Sequence, residues 1–85
     1  MRMALNLRPE AQKELADMPM ADRERFRDRL ERIAADPYGS HPAAKRLQGT
    51  SGFSVRQGDL RAIYRITGAG DIVVIRVRNR REVYR

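Results

Sequence analysis

The stretch FSVRQGDLRAIYRITGAGDIVVIRVR, residues 53–78, decides the fold. Apolar residues alternate with polar ones over residues 53–56 and, except at Ile63, over residues 60–66, and residues 72–78 are rich in β-branched side chains. Alternation with a period of two is typical of strands, and β-branched residues favour them. Two short turn sequences, each containing glycine, separate the three segments. Because strands joined by short turns pair antiparallel, this stretch predicts an antiparallel sheet.

The N-terminal residues predict a short strand followed by a helix. Met3, Leu5 and Leu7 alternate with polar or small neighbours, which is the period of a half-buried strand. Pro9 suits the first turn of a helix, where its missing N–H costs nothing, and we expect the helix to end at Pro19. The apolar residues of this helix recur at i, i+4 and i+7: Ala11, Leu15 and Met18.

A second helix is predicted from about residue 21 to residue 35. Phe26, Leu30 and Ile33 form its apolar stripe. The pair Asp36-Pro37 ends it, because the residue before a proline is disfavoured in the α region. The run Lys45-Arg46-Leu47 is interpreted as a short basic element in the loop that follows.

These elements predict an α+β fold in the order β-α-α-β-β-β. We expect a two-helix hairpin packed on one face of a twisted, mainly antiparallel four-stranded sheet. A chain of 85 residues is the usual size of one domain, so residues 1–85 are expected to share one small core.

The whole chain has a formal net charge of +7, and the positive charge is concentrated in its C-terminal part. Against three acidic residues, residues 54–85 contain eight arginines and no lysine: Arg56, Arg61, Arg65, Arg76, Arg78, Arg80, Arg81 and Arg85. The guanidinium group matches phosphate bidentately and stacks on bases. The composition therefore favours a polyanionic partner, RNA above all. A solvated basic face is the alternative.

Strand alternation places several of these arginines together. Arg61 and Arg65 share one face of their strand, and Arg76 and Arg78 are predicted to share a face of the next strand with Val74. An open sheet face lined with guanidinium groups would hold a phosphate backbone. For Arg65 and Arg76, pairing with acidic side chains is the alternative. The C-terminal residues extend the basic face: Arg80, Arg81, Tyr84 and Arg85.

Several kinds of chemistry are excluded or disfavoured by composition. The chain has no cysteine, so it has no thiolate nucleophile and no disulfide. His41 is the one histidine, and carboxylates do not cluster at metal-ligand spacing, so we expect no metal and no cofactor. Cleavage of RNA would depend on positioning the 2′-hydroxyl and neutralising phosphate charge, with Tyr84 as the remaining group that exchanges a proton. No signal peptide or membrane span is apparent, which predicts a cytoplasmic protein without a membrane partner.

Three motifs together resemble the RelE/ParE toxin superfamily. They are K-R-L-Q-G at residues 45–49, R-x-G-D-x-R-x-I-Y at residues 56–64 and R-R-E-V-Y-R at residues 80–85. The resemblance spans nearly the whole chain. It implies a toxin that is bound by an antitoxin protein, and a toxin–antitoxin hetero-oligomer on operator DNA. For the RelE-like branch it implies an enzyme, a metal-independent endoribonuclease that cleaves mRNA in the ribosomal A site.

The resemblance also assigns roles to individual residues. Arg61 corresponds to the arginine that stabilises the transition-state phosphate, Arg80 to a second phosphate contact and Tyr84 to the tyrosine near the reacting nucleotide. Arg56 completes this catalytic set as a basic residue on the second strand, and Lys45 and Arg46 are expected to contact rRNA. With the basic face included, the predicted RNA-binding set is Lys45, Arg46, Arg65, Arg78, Arg81 and Arg85.

Two other functions stay open from the sequence. The ParE branch shares the fold and much of the motif at residues 56–61, but it poisons DNA gyrase. A non-catalytic member would bind only nucleic acid or its antitoxin. Ser54 stands where some ribosome-dependent members carry a basic residue, and Arg78-Asn79 replaces the more usual Gly-His or Gly-Lys before the terminal arginine pair.

Overall fold

Two helices and five strands make up the part of the chain that the computed structural model describes, residues 5–79. The elements are β1 (Leu5–Leu7), α1 (Pro9–Ala16), α2 (Met20–Ala35), β2 (Ala44–Arg46), β3 (Phe53–Gln57), β4 (Leu60–Ile66) and β5 (Ile72–Asn79). The predicted α+β class is confirmed. The prediction of four strands is wrong by one, because residues 44–46 form a strand instead of a loop element.

The five strands form one sheet in the order β1-β5-β4-β3-β2. Strand β1 runs parallel to β5, and the other neighbouring pairs are antiparallel. The chain between β1 and β5 runs through both helices and the strands β2, β3 and β4, which provides the long connection that parallel strands need. The added strand, β2, lies at the opposite edge of the sheet. Its three residues are too few to show a period of two, and its Lys45 and Arg46 suit an exposed edge.

The helices begin and end close to the predicted residues, with one difference at Pro19. Helix α1 ends at Ala16, and Pro19 directly precedes α2, where its carbonyl oxygen accepts a hydrogen bond from the N–H of Arg23 at 2.9 Å. Proline therefore starts the second helix here, in agreement with its preference for helix N-termini. No helix within residues 5–79 is long and apolar enough to cross a membrane.

The core lies between the two helices and one face of the sheet. The predicted stripe of α2 is buried, as are Ala11 and Leu15 of α1. Strand β4 contributes Leu60, Ala62 and Tyr64 to this core. The buried side chains are Ala11, Leu15, Phe26, Leu30, Ile33, Ala34, Val55, Leu60, Ala62, Tyr64, Ile72, Val74 and Val77. No helix of residues 5–79 covers the opposite face of the sheet, which we call the open face.

A β-bulge at Ile75 changes which side chains of β5 point to the core. Val74 pairs with Tyr64 and Arg76 pairs with Ile63, so Ile75 is the extra residue between them. Val74 and Val77 are both buried, whereas Arg76 lies opposite the partly exposed Ile63. The prediction that Arg76 and Arg78 share a face with Val74 is therefore wrong. A bulge adds one residue to one strand and shifts the side-chain alternation beyond it.

Candidate anion-binding face of the sheet

Three arginines stand side by side on the open face, and we call them the arginine row. Arg61 in β4 pairs directly with Arg56 in β3 and with Arg78 in β5. All three are exposed. Because neighbouring strands lie about 4.8 Å apart, the row spans about 10 Å across three strands. The row therefore places three arginines on adjacent strands of one face, where their guanidinium groups can contact the phosphates of a nucleic acid.

A tight turn brings the first two members of the row together. Gln57 pairs with Leu60, so Gly58 and Asp59 alone connect β3 to β4. Gly58 has φ +60°, which glycine adopts without steric cost. Arg29 of α2 donates a hydrogen bond from its Nε–H to Oε1 of Gln57, which anchors the turn end of this hairpin to the helical layer. The hairpin therefore fixes Arg56 opposite Arg61.

The bulge brings the third member to the row. Without the extra residue Ile75, the alternation set by Val74 would send Arg76 and Arg78 toward the core. With the bulge, Val77 is buried and Arg78 lies opposite Arg61. The arginine row thus depends on a local irregularity in the strand that the sequence predicts most strongly.

Within residues 5–79, ion pairs with acidic side chains reach the arginine row only at Arg78. Neither Arg56 nor Arg61 forms an ion pair with a side chain of residues 5–79. Arg78 has one acidic neighbour, with its Nε 3.7 Å from Oε2 of Glu14. Like charges directly opposite each other destabilise a sheet. The row is therefore a place where a bound polyanion would relieve repulsion.

Glu14 on α1 neutralises the arginine next to the row. Arg76 donates hydrogen bonds from Nε to Oε1 at 3.1 Å and from Nη2 to Oε2 at 2.8 Å. The backbone N–H of Val77 donates to Oε1 of the same carboxylate at 2.9 Å. Arg76 thus pairs with an acid, which is the alternative that we considered for it. Arg65 forms no ion pair within residues 5–79.

These contacts shift the protonation equilibria of both side chains. The hydrogen bonds from Arg76 lower the pKa of Glu14, and the Val77 N–H and the charges of Arg76 and Arg78 act in the same direction. Partial burial opposes this and raises the pKa. The hydrogen bonds to Glu14 raise the pKa of Arg76. Glu14 is therefore held as a carboxylate and Arg76 as a cation.

The structure separates Lys45 from Arg46, which the sequence placed in one basic element. Lys45 pairs with Ser54, whose other partner is Ile63, so it lies on the open face beside the arginine row. Arg46 pairs with Phe53, which packs against the core and stacks on Tyr64 with ring centroids 5.2 Å apart. Both basic residues are exposed, but they lie on opposite faces of the edge strand.

The other predicted site residues lie away from the arginine row or outside residues 5–79. Arg65 lies on the open face opposite Val73, further along β4 than the arginine row. Four others lie outside the described residues: Arg80, Arg81, Tyr84 and Arg85. Glu14 is the one member of this site that the sequence did not indicate. No group of three or more His, Cys, Asp or Glu side chains within residues 5–79 could hold a metal ion.

The sequence matches a known protein family along almost its whole length. The model for the ParE toxin of the type II toxin–antitoxin system parDE matches residues 5–84. The chain is therefore a toxin of the type II toxin–antitoxin class. It belongs to the RelE/ParE toxin superfamily, which confirms the resemblance seen in its motifs. Among curated proteins, no sequence matches the chain closely.

Solved structures of RelE toxins have the same fold. The chain is similar to the isolated E. coli RelE toxin, with a TM-score of 0.77 and 24% identity over 98% of this chain and 92% of the other. It is also similar to a chain of the RelE–RelB complex from Pyrococcus horikoshii, with a TM-score of 0.78 and 22% identity over 94% of this chain and 97% of the other. For a chain of the RelBE2 toxin–antitoxin complex from Mycobacterium tuberculosis, the TM-score is 0.77 and the identity is 21% over 94% of this chain and 100% of the other. At these identities the likeness concerns the fold.

Proposed function

We propose that this toxin is a ribosome-dependent mRNA endonuclease that cleaves mRNA in the A site and so inhibits translation. The observation that carries the proposal is the arginine row on a sheet face that no helix of residues 5–79 covers. Arg61 at its centre has an arginine on each side. A phosphate bound at Arg61 would therefore lie between two further cations, which is the environment that a reacting phosphodiester needs.

The proposed reaction is an in-line attack by the 2′-hydroxyl oxygen on the adjacent phosphorus. The 2′-O–P bond forms, the P–O5′ bond breaks, and the products are a cyclic phosphate and a 5′-hydroxyl. The 2′-hydroxyl loses a proton and the leaving oxygen gains one, so the step balances without a co-reactant, and we propose that it proceeds without a metal or other cofactor. Arg61 and Arg56 stabilise the negative charge that develops on the phosphate. We assign the further phosphate contact to Arg80 and proton exchange to Tyr84.

Residues around the row extend the proposed RNA contact. Lys45, Arg65 and Arg78 share the open face and would bind neighbouring phosphates. Arg46 lies on the other face and would reach rRNA from the edge of the sheet. The remaining members of the proposed RNA-binding set are Arg81 and Arg85. The ribosome as a target makes the cytoplasm the site of action.

An antitoxin protein is the second proposed partner. Solved complexes that pair a RelE-type toxin with its antitoxin have this fold. With a formal net charge of +7, the chain would bind an acidic segment of its antitoxin. We also propose that the toxin–antitoxin hetero-oligomer binds operator DNA.

Poisoning of DNA gyrase is the second candidate function, and the family match supports it. The matching model describes the ParE toxin of a ParDE pair. A basic open face would serve contact with DNA as well as contact with RNA, because both present phosphates. The two activities therefore have to be separated by assay.

The test is cleavage of a defined mRNA by the purified protein, with and without programmed ribosomes. A plasmid linearisation assay with DNA gyrase runs on the same preparation. We expect cuts within codons only when ribosomes are present, and we expect Arg61→Gln to abolish them. Arg25→Gln removes an exposed arginine from α2 and is the matched control, which should cut like the wild type. Intact mRNA together with gyrase-dependent plasmid breaks would reject the proposal and support the second candidate.

A further inference from the structure

Glu14 binds β5 just beyond the last residue that pairs with the edge strand β1. The last residue pair between β1 and β5 is Leu7 with Val74, and the N–H of Arg8 donates to the carbonyl oxygen of Val74 at 2.9 Å. Beyond Val74, no strand of residues 5–79 pairs with this side of β5. The Glu14 carboxylate accepts the N–H of Val77 there at 2.9 Å. A side chain of α1 thus continues the hydrogen bonding that β1 begins.

The same carboxylate holds the residues that follow the bulge. Ile75 is the extra residue, and the next two residues, Arg76 and Val77, are the ones that Glu14 binds. Both of its oxygens accept hydrogen bonds from the Arg76 side chain, and Oε1 also accepts a hydrogen bond from the backbone N–H of Val77 at the edge of the sheet. This arrangement favours the bulged register over one in which Arg76 turns toward the core. Arg78, one residue further on, then lies opposite Arg61.

Glu14 also removes one cation from the open face. Arg76 lies opposite Ile63, one pair away from the arginine row, and would otherwise be a further guanidinium for a polyanion. Its bidentate pair with Glu14 is a strong, directional contact, and the side chain of Glu14 is only 24% exposed. A phosphate that approaches Arg76 would have to displace this carboxylate. Binding is thereby directed to the arginine row.

We propose that Glu14 is a positioning residue that withholds Arg76 from bound RNA and holds Arg78 in the arginine row. The proposal rests on the proposed function in one respect, namely that the open face binds RNA. It predicts that RNA contacts Arg61 and Arg78 but not Arg76, although all three are arginines on the same face.

The test is the salt dependence of binding to a single-stranded 2′-O-methyl RNA oligonucleotide, which cannot be cleaved by attack of a 2′-hydroxyl. Each phosphate contact to a single strand contributes about 0.7 to the slope of log K against log salt. Glu14→Gln keeps an oxygen for the N–H of Val77 but frees Arg76. It also removes the longer contact to Arg78, which the proposal already counts among the arginines that bind RNA. We expect its slope to be steeper by about 0.7, which is about 2.5-fold in affinity between 50 and 200 mM salt.

Two variants control for charge. Glu31→Gln removes a carboxylate that pairs with Arg27 on α2, and it should keep the wild-type slope. Adding Arg76→Gln to Glu14→Gln should restore that slope. Equal slopes for Glu14→Gln and Glu31→Gln, or a steeper slope that persists in the double variant, would overturn the inference while the wild type still binds. A wild type that does not bind the oligonucleotide would overturn the RNA-binding proposal as well.

A measurement on the wild type does not depend on any variant folding. In a titration followed by NMR, the arginine Nε–H signals of Arg61 and Arg78 should shift on binding of the oligonucleotide, and that of Arg76 should not. If Glu14 served only to stabilise the fold, this difference between arginines on one face would not be expected. A shift of Arg76 as large as that of Arg61 would reject the inference.

Discussion

Arg56 and Arg61 lie directly opposite each other in the β3–β4 hairpin, and both side chains are exposed. In a sheet, directly opposed side chains have Cβ atoms about 4.5–5.5 Å apart. Like charges directly opposite each other in a sheet are unfavourable. Because neither arginine has an acidic partner within residues 5–79, a bound phosphate would turn this contact into a favourable one.

The first prediction is that Arg61→Gln separates stability from activity. Removal of one of the opposed charges should leave the free energy of unfolding unchanged or raise it by up to about 0.5 kcal/mol. The same change should abolish growth inhibition, because Arg61 is the centre of the arginine row. Urea unfolding and a plating assay measure the two effects. A loss of more than about 2 kcal/mol would mean that Arg61 supports the fold.

The second prediction concerns the turn that sets the hairpin register. Gly58 has φ +60°, and a Cβ added there meets no heavy atom within 4 Å. The cost of Gly58→Ala is therefore conformational, and we expect a loss of about 1–2 kcal/mol in the free energy of unfolding. Asparagine tolerates the left-handed region better, so Gly58→Asn should lose less.

A glycine in the next turn is the control for this effect. Gly68 also has free space around it but does not have a positive φ. Gly68→Ala should therefore be neutral or slightly stabilising, because alanine restricts the unfolded chain. Thermal unfolding of the variants compares them directly. Equal losses at Gly58 and Gly68 would show that the backbone conformation at Gly58 is not the cause.

The third prediction is a pH dependence of stability that comes from Glu14. Arg76 holds the pKa of Glu14 below its ordinary value of 4.5 in the folded protein. A carboxyl whose pKa is lower in the folded state stabilises the protein above its unfolded pKa, and this contribution is lost as the pH falls through the folded pKa. Glu14→Gln should therefore be less stable than the wild type at pH 7.

Below pH 4.5 the two proteins should converge in stability. Urea titrations at a series of pH values from neutral to acidic measure this difference. Glu31→Gln is again the matched control, because its pair with Arg27 is an exposed contact between neighbouring turns of one helix. A difference between wild type and Glu14→Gln that stays constant with pH would contradict the prediction.

The elements that the sequence predicts well are those with a sustained period. Strand β4 runs from Leu60 to Ile66 as expected, because Arg61 and Arg65 mark its outward face and Ile63 is the one apolar residue on that face. Strand β2 has three residues, too few for a pattern to appear. The bulge lies within Ile72–Ile75, where every residue is apolar, so no polar residue marks the face that turns outward.

The site was predictable only where it depends on neighbours in the chain. Arg56 and Arg61 each lie one residue outside Gln57 and Leu60, which flank a two-residue turn, so their proximity follows from the sequence of that turn. Arg78 reaches the same row through the bulge, which the alternation pattern did not indicate. Glu14 binds residues 62 and 63 positions away along the chain. Contacts at this distance depend on how helix and sheet pack, and a single sequence carries no local signal for them.

The fourth prediction uses two adjacent residues to identify the face that binds RNA. Lys45 lies on the open face beside Ser54, and Arg46 lies on the opposite face beside Phe53. Each is exposed, so each replacement by glutamine removes one charge at little cost in stability. If the open face binds the 2′-O-methyl oligonucleotide, Lys45→Gln should reduce the salt slope by about 0.7 and Arg46→Gln should not change it. The reverse result would move the contact to the helical side of the edge strand. Equal reductions would mean that RNA wraps around the edge at β2, in which case the charge of that edge, and not the arginine row alone, would determine affinity.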